Sequence, residues 1–591
     1  MDGWKKVLFC LSLISFVLTP VSPAADSVII EHGVAAKMRD GTILRADIYR
    51  PSAPGKFPVL LTRTPYDKTG DLDFALKAVP RGYVVISQDV RGRYTSDGDW
   101  YPFIHESEDG YDTIEWAAAL PYSDGRVGTF GGSYVGATQM LAAISHPPHL
   151  AGICPVVTAS NYHDGWTYQG GAFEQWFNES WTSGLAQDTL NRSVSHQTNA
   201  LNGISKLPLT QYPLFPLPKS SSDGELLHTL APYFLDWLAH PSYDGYWKRI
   251  AIEEHYPDIR VPALTVAAWY DIFLGGSLRN YVGMKEHAAD ENARSGQRLV
   301  VTIGGHAGSS RKVGDVDFGP AAPFDEDAVT LDWYDHLFKN VGNKFAGPKR
   351  VQIFVLGSNE WREEDDWPLA RAQATKYFLH SDGKANTAKG NGRLSTTAPQ
   401  SENPDRFTYD PANPVPTIGG PLCCDSSHLE PGPRDQRSLE ARQDVLVYSS
   451  SALDQDLEVT GPVHVELFAK CSTRDTDFTA KLVDVGPDGF AQNLTEGIVR
   501  GRYRNSQQMP EAFTPEEVYK FSIDLWSTSN VFRRGHRLRL EISSSNFPRF
   551  DRNPNTGADS ADAAKLVPAE NTILHDAEHP SALVLPIVVK P

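Results

Sequence analysis

A serine set among glycines is the strongest chemical signal in the sequence. Ser133 lies in Gly131-Gly132-Ser133-Tyr134-Val135-Gly136, between an apolar run at residues 127–130 and an apolar helical stretch at 138–144. A strand that turns through small residues into a helix is the pattern of a nucleophile elbow. The segment departs from Gly-x-Ser-x-Gly because Val135 takes the place of the last glycine. A glycine-rich turn with an incidental serine is the alternative.

A serine hydroxyl becomes a strong nucleophile only beside a base, and the base needs a third group to orient it. Asp271 follows the apolar run 263–268, and His306 follows the run 299–303. Loops after parallel strands meet at one edge of an open α/β sheet. The chain order Ser, Asp, His is also that of α/β-hydrolases. The sequence therefore predicts Ser133 as nucleophile, His306 as general base and Asp271 as the orienting carboxylate.

These residues need a sheet to position them, and the hydrophobic pattern predicts one. Residues 34–49 alternate as a β-hairpin does, with Asp40-Gly41 at the turn. Short apolar runs then alternate with helical spacing, which is typical of an α/β domain with a mostly parallel sheet. Further strands are predicted at 57–62, 83–87, 127–130 and 153–158, and helices at 106–120 and 138–144.

Two regions break this alternation. Residues 161–257 are rich in Trp, Tyr, His and Asn and predict a helical cap over the active edge of the sheet. From about residue 374, strand-like runs separated by turn residues predict an all-β jelly-roll domain. We therefore predict an α/β-hydrolase domain at 25–160 and 258–370, the cap at 161–257 and the jelly-roll at 371–591. The polar segment 381–404 is predicted to be a loop or linker.

The N-terminus resembles a secretory signal. Lys5 and Lys6 precede an apolar stretch at 7–18, and small residues near Ala24 offer a cleavage site. We expect a signal peptide at 1–24 and a periplasmic or secreted protein, with an N-terminal anchor as the alternative. Export permits disulfides. The pairing of Cys154, Cys423, Cys424 and Cys471 stays open, because either member of the adjacent pair could bridge to Cys471 or Cys154.

Composition excludes several classes. The 591 residues hold 55 basic and 73 acidic side chains, a net charge of −18, which argues against nucleic acid and anionic membranes as partners. Past the N-terminus no apolar run is long enough to span a membrane. There is no P-loop, dinucleotide fingerprint or HExxH, so no cofactor or metal is expected. Acidic clusters at 105–109 and 363–366 are predicted to be solvated. A homo-oligomer is possible.

Several motifs together resemble one family. These are Arg63-Thr64-Pro65-Tyr66-Asp67-Lys68, Asp89-Val90-Arg91-Gly92-Arg93, the Ser133 segment, Trp269-Tyr270-Asp271 and Asp475-Thr476-Asp477-Phe478. The chain resembles the cocaine-esterase-like and X-Pro dipeptidyl-peptidase-like serine hydrolases, which are related to α-amino-acid ester hydrolases and glutaryl-cephalosporin acylases. The resemblance covers nearly all of the chain after residue 24 and implies the three-part architecture above. It also implies that the Tyr66 hydroxyl joins the Tyr134 N–H in an oxyanion hole.

The chain departs from that family beside the base. Gly304 and Gly305 precede His306, where the family often has Trp. Residues 272–274 are apolar and offer no acidic group for a substrate ammonium. Phe273, with the cap residues Trp166, Tyr168 and Phe173, suggests an apolar substrate pocket, although plain packing is the alternative for each ring.

The sequence thus predicts a secreted serine hydrolase that cleaves a small-molecule ester or amide through an acyl-enzyme. An X-Pro dipeptidyl peptidase is one alternative. It would need a carboxylate for the free N-terminus of its substrate, which Asp164 or Glu174 could supply. A non-catalytic ligand-binding protein is the other.

Overall fold

The computed structural model describes residues 27–191, 208–211, 223–306, 308–558, 563 and 565–589. The predicted signal peptide at 1–24 lies outside these residues and stays a prediction. Within the described part of the chain, no helix is long and apolar enough to cross a membrane.

A ten-stranded sheet forms the first domain, in the order β1-β2-β4-β3-β5-β6-β9-β10-β13-β14. Its strands are β1 (Val28–Lys37), β2 (Ile43–Pro51), β3 (Phe57–Thr64), β4 (Val84–Asp89), β5 (Ser123–Gly132), β6 (Leu150–Val156), β9 (Leu264–Ala268), β10 (Arg298–Thr302), β13 (Val351–Val355) and β14 (Glu360–Glu364). The predicted hairpin is confirmed as β1 and β2. In the sheet order, the seven neighbouring strands β4-β3-β5-β6-β9-β10-β13 are parallel, so their carboxyl ends share one edge.

Helices cover both faces of this sheet. Its central strands are therefore buried along nearly their whole length. The helices of the domain are α1 (Leu72–Ala78), α2 (Glu106–Ala118), α3 (Tyr134–Ile144), α8 (Leu274–His287), α9 (Glu291–Ser295) and α10 (Glu326–Lys339). A small hairpin of β11 (Lys312–Val313) and β12 (Val316–Asp317) follows β10.

The segment between β6 and β9 forms a cap that is mainly helical. It contains β7 (Tyr168–Gln169), β8 (Ala172–Phe173), α4 (Gln175–Asn191), α5 (Asp223–Leu230), α6 (Pro232–Ala239) and α7 (Gly245–Lys248). Its aromatic side chains pack it against the helices of the sheet. Trp166, Trp181 and Trp237 belong to the same apolar cluster as residues of α2 and α3.

The C-terminal domain is built on an eleven-stranded sheet. Its strands are β15 (Ala372–His380), β16 (Arg393–Ser395), β17 (Asp405–Tyr409), β18 (Leu446–Ser449), β19 (Leu457–Cys471), β20 (Asp477–Val485), β21 (Ala491–Arg500), β22 (Tyr519–Phe532), β23 (Arg537–Ser543), β24 (Ala569–Leu574) and β25 (Ala582–Val588). The polar segment 381–404 lies inside this domain and contains β16, so it does not link the domains. Leu356 joins the domains through backbone hydrogen bonds of 2.9 Å with Ser529 and Val531.

The prediction that both acidic clusters are solvated is wrong for one or two members of each cluster, although Glu108, Glu363 and Asp365 are exposed as predicted. Glu106 begins α2 yet is only 3% exposed, and its carboxylate lies 2.8 Å from the Arg63 guanidinium. Asp109, one turn later, pairs with Arg91 at 2.6 Å. In the second cluster, Glu364 ends β14 and accepts a hydrogen bond of 2.6 Å from Arg371. These ion pairs could not be predicted from the acidic runs themselves, because the arginines are distant in sequence or lie on other elements.

We expect Glu106→Ala to lower the free energy of unfolding by about 3 kcal/mol, because it leaves the buried Arg63 charge without its partner. Urea unfolding followed by circular dichroism measures this change. Glu108→Ala is the matched control, since Glu108 is exposed on the same helix turn, and it should change the value by less than about 0.5 kcal/mol. Equal losses in both variants would contradict a stabilising role for the Arg63–Glu106 pair.

Candidate active site

Ser133 occupies a strained turn between β5 and α3. Its backbone has φ 61° and ψ −128°, a conformation that costs a non-glycine residue energy and exposes its side chain. Two glycines make the turn possible. A Cβ on Gly131 would lie 2.4 Å from the Val135 side chain, and one on Gly136 would lie 2.8 Å from Thr158. Val135 at the usual glycine position is therefore accommodated because Gly131 has no side chain.

Asp271 and His306 meet at the same edge of the sheet. Asp271 follows β9, His306 follows β10, and the His306 Nδ1 lies 2.7 Å from the Asp271 Oδ1. Backbone hydrogen bonds of 3.0 Å, from Trp269 to Thr302 and from Tyr270 to Gly304, hold the two loops together. With Nδ1–H donating to the carboxylate, Nε2 is the nitrogen that can take a proton.

The Asp271 carboxylate is 0% exposed. Its second oxygen accepts a hydrogen bond of 2.8 Å from the Phe273 N–H. Both oxygens thus have donors, which a buried charge requires. The Asp271 side chain can therefore fix the orientation of the imidazole rather than swing away from it.

Tyr66 stands beside Ser133 at the end of β3. Its hydroxyl oxygen accepts a hydrogen bond of 2.9 Å from the Trp181 indole N–H, and it also interacts with the Ser133 side chain. Since the indole can only donate, the Tyr66 proton is free for another acceptor. The ring is 39% exposed, yet the surrounding protein desolvates the hydroxyl and raises the pKa of Tyr66. It therefore stays a protonated donor at neutral pH.

Buried charges of the β3 and β4 loops hold Tyr66 in place. Arg93 donates from Nε to the Pro65 carbonyl at 3.0 Å and from its terminal nitrogen to the Leu185 carbonyl of α4 at 2.9 Å. Asp89 accepts a hydrogen bond of 2.9 Å from the Lys68 N–H. The motifs at 63–68 and 89–93 thus fix the position of Tyr66 through hydrogen bonds to the backbone on either side of it.

Tyr134 offers its backbone rather than its side chain. It is the first residue of α3, where an N–H has no acceptor within the helix. Its hydroxyl points away into the core, where it accepts from the Phe103 N–H at 2.8 Å and donates to Glu106 at 2.9 Å. The buried Glu106 therefore also anchors the residue that follows Ser133.

Of the four predicted pocket residues, the structure brings one against His306 and packs a second one behind it. The Phe273 ring packs edge-on against the His306 ring at 5.2 Å, and Trp166 stacks on Phe273 at 4.3 Å. Both are fully buried and form the wall behind His306. Phe173 packs instead on Tyr168 and Phe234, so its place in the pocket stays a prediction.

Both candidate carboxylates for a substrate amine are occupied by arginines. Asp164 pairs with Arg279 at 3.1 Å. Glu174 is buried and lies 3.4 Å from Arg549 of the C-terminal domain. Burial raises the pKa of Glu174 to about 7 although the Arg549 charge opposes the shift. Each carboxylate thus already has an arginine as its partner.

Sequence reasoning missed two parts of the site. Trp181 is one; only the aromatic richness of the cap hinted at it. The other is a loop of the C-terminal domain at 421–431, more than 100 residues after His306. A cavity of about 190 Å³ beside His306 is lined by Leu422, Cys423, Cys424, Ser426, Leu429 and Pro431. Cys423 and Cys424 are disulfide-bonded to each other, whereas Cys154 and Cys471 are free and buried.

A serine at a strained strand–helix turn, with a histidine and a carboxylate after neighbouring strands, is the arrangement of an α/β-hydrolase. Residues 40–308 match the model of the X-Pro dipeptidyl-peptidase family (S15), and residues 343–584 match that of its C-terminal non-catalytic domain. The chain belongs to this family of cocaine-esterase-like and X-Pro dipeptidyl-peptidase-like serine hydrolases. The resemblance and the fold class predicted from sequence are thus confirmed.

Its relatives match it along nearly their whole length. The chain is 39% identical to the cocaine esterase of Rhodococcus sp. (strain MB1 Bresler), over 95% of this chain and 98% of the relative. Among solved structures, an aminopeptidase from a marine sediment Thaumarchaeota archaeon has a TM-score of 0.82 at 27% identity, covering 98% of this chain and 99% of its own. An α-amino acid ester hydrolase has a TM-score of 0.78 at 25% identity, covering 97% and 100%.

We expect Trp181→Phe to lower kcat about tenfold with little change in KM. The variant keeps the ring but removes the N–H that holds the Tyr66 hydroxyl, a bond worth about 1–1.5 kcal/mol. Steady-state kinetics on a chromogenic ester measures the effect. Trp247→Phe is the matched control, because it removes another buried indole hydrogen bond, 2.8 Å to the His240 carbonyl. If Trp181→Phe still costs tenfold in a Tyr66→Phe background, it does not act through Tyr66.

Proposed function

We propose that this enzyme hydrolyses carboxylic esters with Ser133 as nucleophile, His306 as general base and Asp271 as the orienting carboxylate. The observation that carries the proposal is the 2.7 Å contact between Asp271 and His306 at the sheet edge where Ser133 lies. His306 takes the Ser133 proton as the serine oxygen attacks the ester carbonyl. The same imidazolium then protonates the leaving alcohol.

An acyl-enzyme on Ser133 is the intermediate in this proposal. Water, activated by His306, attacks the acyl carbon and releases the acid and the free serine. The negative charge of each tetrahedral intermediate falls on the former carbonyl oxygen. The Tyr134 N–H and the Tyr66 hydroxyl are the two donors for it. The N–H has no acceptor within α3, and the hydroxyl accepts from Trp181, which leaves its own proton free.

Ester cleavage is favoured over release of X-Pro dipeptides. A dipeptidyl peptidase must bind a substrate ammonium, and the two carboxylates that could do so pair with Arg279 and Arg549. The 39% identity to a cocaine esterase supports the same choice. The similarity to an aminopeptidase keeps peptide cleavage as the second candidate.

We also propose that the enzyme acts outside the cytoplasm. The bond between Cys423 and Cys424 supports this, because thiols in the cytosol are kept reduced. Together with the signal-like residues 1–24, it favours export. Cell fractionation of the native host would place the protein.

Ser133, in the protein lacking residues 1–24, should react with a fluorophosphonate probe, and Ser133→Ala and His306→Ala should not. Asp271→Asn should keep the fold and lower kcat about 10⁴-fold, because the imidazole loses its orienting acceptor. Gel fluorescence and mass spectrometry of the labelled peptide measure the first result, and ester kinetics the second. A folded wild-type protein that does not label would exclude this mechanism and favour a non-catalytic ligand-binding protein.

A substrate panel separates the two candidate reactions. We expect kcat/KM for 4-nitrophenyl esters to exceed that for Gly-Pro and Ala-Pro 4-nitroanilides by at least a hundredfold. The reverse order would identify a peptidase. Asp164→Asn gives a further arm: it should not change the ratio if Asp164 serves only Arg279.

Tyr66→Phe should reduce kcat by about 10²–10³, the usual effect of losing one oxyanion donor. Tyr111→Phe, on the surface helix α2, is the matched control. Because burial raises the pKa of Tyr66, wild-type kcat should not fall through loss of its proton up to about pH 10, the ordinary tyrosine value. Unchanged activity in Tyr66→Phe would remove this hydroxyl from the mechanism.

A further inference from the structure

The loop that carries the disulfide is closed at its base and fixed to the catalytic domain. Gly420 and Gly432 exchange two backbone hydrogen bonds of 2.8 and 2.9 Å, so residues 421–431 form a compact loop. Just beyond it, Arg434 pairs with Asp315 at 2.7 Å. These contacts place the loop against the segment that follows His306.

The two sulfurs differ in their surroundings. Cys423 is 4% exposed and belongs to the same apolar cluster as Trp166 and Phe273. Cys424 is exposed. Both line the cavity that His306 also lines. In the described part of the chain this is the one disulfide, so a thiol reagent that enters the cavity beside His306 meets it there.

We propose that the Cys423–Cys424 disulfide is a thiol-exchange site in the wall of the active site, and that its opening changes which esters the enzyme accepts. The proposal rests on the ester hydrolysis proposed above. The ligand class is a small thiol or dithiol. Once the disulfide is reduced, the two cysteine thiols should bind a reagent that bridges two neighbouring thiols.

The exchange balances as follows. A thiolate attacks the Sγ of Cys424, the more exposed of the two residues, the Cys423–Cys424 bond breaks, and Cys423 leaves as a thiolate that takes one proton. A second thiolate attacks the reagent sulfur of the mixed disulfide, the reagent leaves as its own disulfide, and Cys424 is released as a thiolate that takes one proton. The sum is one protein disulfide plus two thiols giving two protein thiols plus one reagent disulfide, a transfer of two electrons.

Opening the bond changes the cavity because adjacent cysteines joined through sulfur form a small ring that fixes both side chains. Once opened, each side chain regains its own rotamers, and Cys424 no longer has a fixed place beside His306. A cavity of about 150 Å³ is large enough for a benzene ring, so the 190 Å³ here suits one ring. Esters with a ring-bearing acyl group should therefore depend on the closed disulfide, and acetyl esters should not.

The experiment uses the wild-type enzyme in two redox states. One sample is kept oxidised, and the other is treated with dithiothreitol under native conditions and desalted without air. Iodoacetamide trapping and mass spectrometry measure the fraction of Cys423 and Cys424 that is reduced. We expect kcat/KM for 4-nitrophenyl phenylacetate to fall at least fivefold on reduction and to recover on reoxidation. The value for 4-nitrophenyl acetate should change less than twofold.

Phenylarsine oxide tests the opened site directly. It condenses with two neighbouring thiols, forming two As–S bonds and releasing one water. It should bind the reduced enzyme at one equivalent and inhibit it, leave the oxidised enzyme unaffected, and be removed by 2,3-dimercaptopropanol. Cys423→Ser/Cys424→Ser should neither bind it nor respond to dithiothreitol. Cys471→Ser, which removes a buried thiol of β19 far along the chain, should respond as the wild type does.

Two results would overturn the proposal: complete reduction of both cysteines with an unchanged ratio of the two esters, or a thiol response that persists in Cys423→Ser/Cys424→Ser. Fluorophosphonate labelling of Ser133 separates this from the proposed function. If Ser133 fails to label in the oxidised enzyme, ester hydrolysis is wrong, whereas thiol trapping and arsenical binding still decide whether the exchange site exists.

Discussion

The whole site depends on keeping one carboxylate buried. Asp271 is out of contact with water, so its charge is tolerable only while both oxygens have donors. One donor is the His306 ring and the other is the Phe273 backbone N–H. The His306 imidazole is therefore held by its hydrogen bond to this buried charge as well as by packing. Phe273 contributes twice, since its ring also packs edge-on against the same imidazole.

A second set of buried charges holds Tyr66 and Tyr134, the two proposed oxyanion donors. Arg93 ties the loop before Tyr66 to helix α4 of the cap, and α4 supplies Trp181, which holds the Tyr66 hydroxyl. The Arg63–Glu106 pair lies under Tyr134 and anchors its side chain. Basic residues that look like surface charge in the sequence are thus the framework of the site. Each of these arginines donates hydrogen bonds to partners on other elements, which fixes the backbone around Tyr66 and the side chain of Tyr134.

Sequence patterns could predict what depends on local spacing. The hairpin of β1 and β2, the parallel strands and the elbow at Ser133 follow from alternation, apolar runs and small residues within a few positions. Strand ends also led to Asp271 and His306, because parallel strands share an edge. The burial of Glu106 and the pairing of Asp164 with Arg279 could not be predicted, since each depends on a partner brought in by tertiary folding. The contact of the loop at 421–431 with the cavity beside His306 could not be predicted for the same reason, because the loop belongs to another domain.

The contribution of that loop changes how the C-terminal domain is understood. The domain matches a model described as non-catalytic, yet it supplies Cys423 to the apolar cluster behind the base and Arg549 to Glu174 of the cap. The Phe173 N–H of the cap likewise donates to Asp551 at 2.8 Å. The described part of the cap thus contacts the C-terminal domain on one side and the helices of the sheet on the other. The surroundings of His306 are therefore built jointly by the cap and by a domain that holds none of the proposed reacting groups, which is why we expect the loop at 421–431 to affect substrate choice.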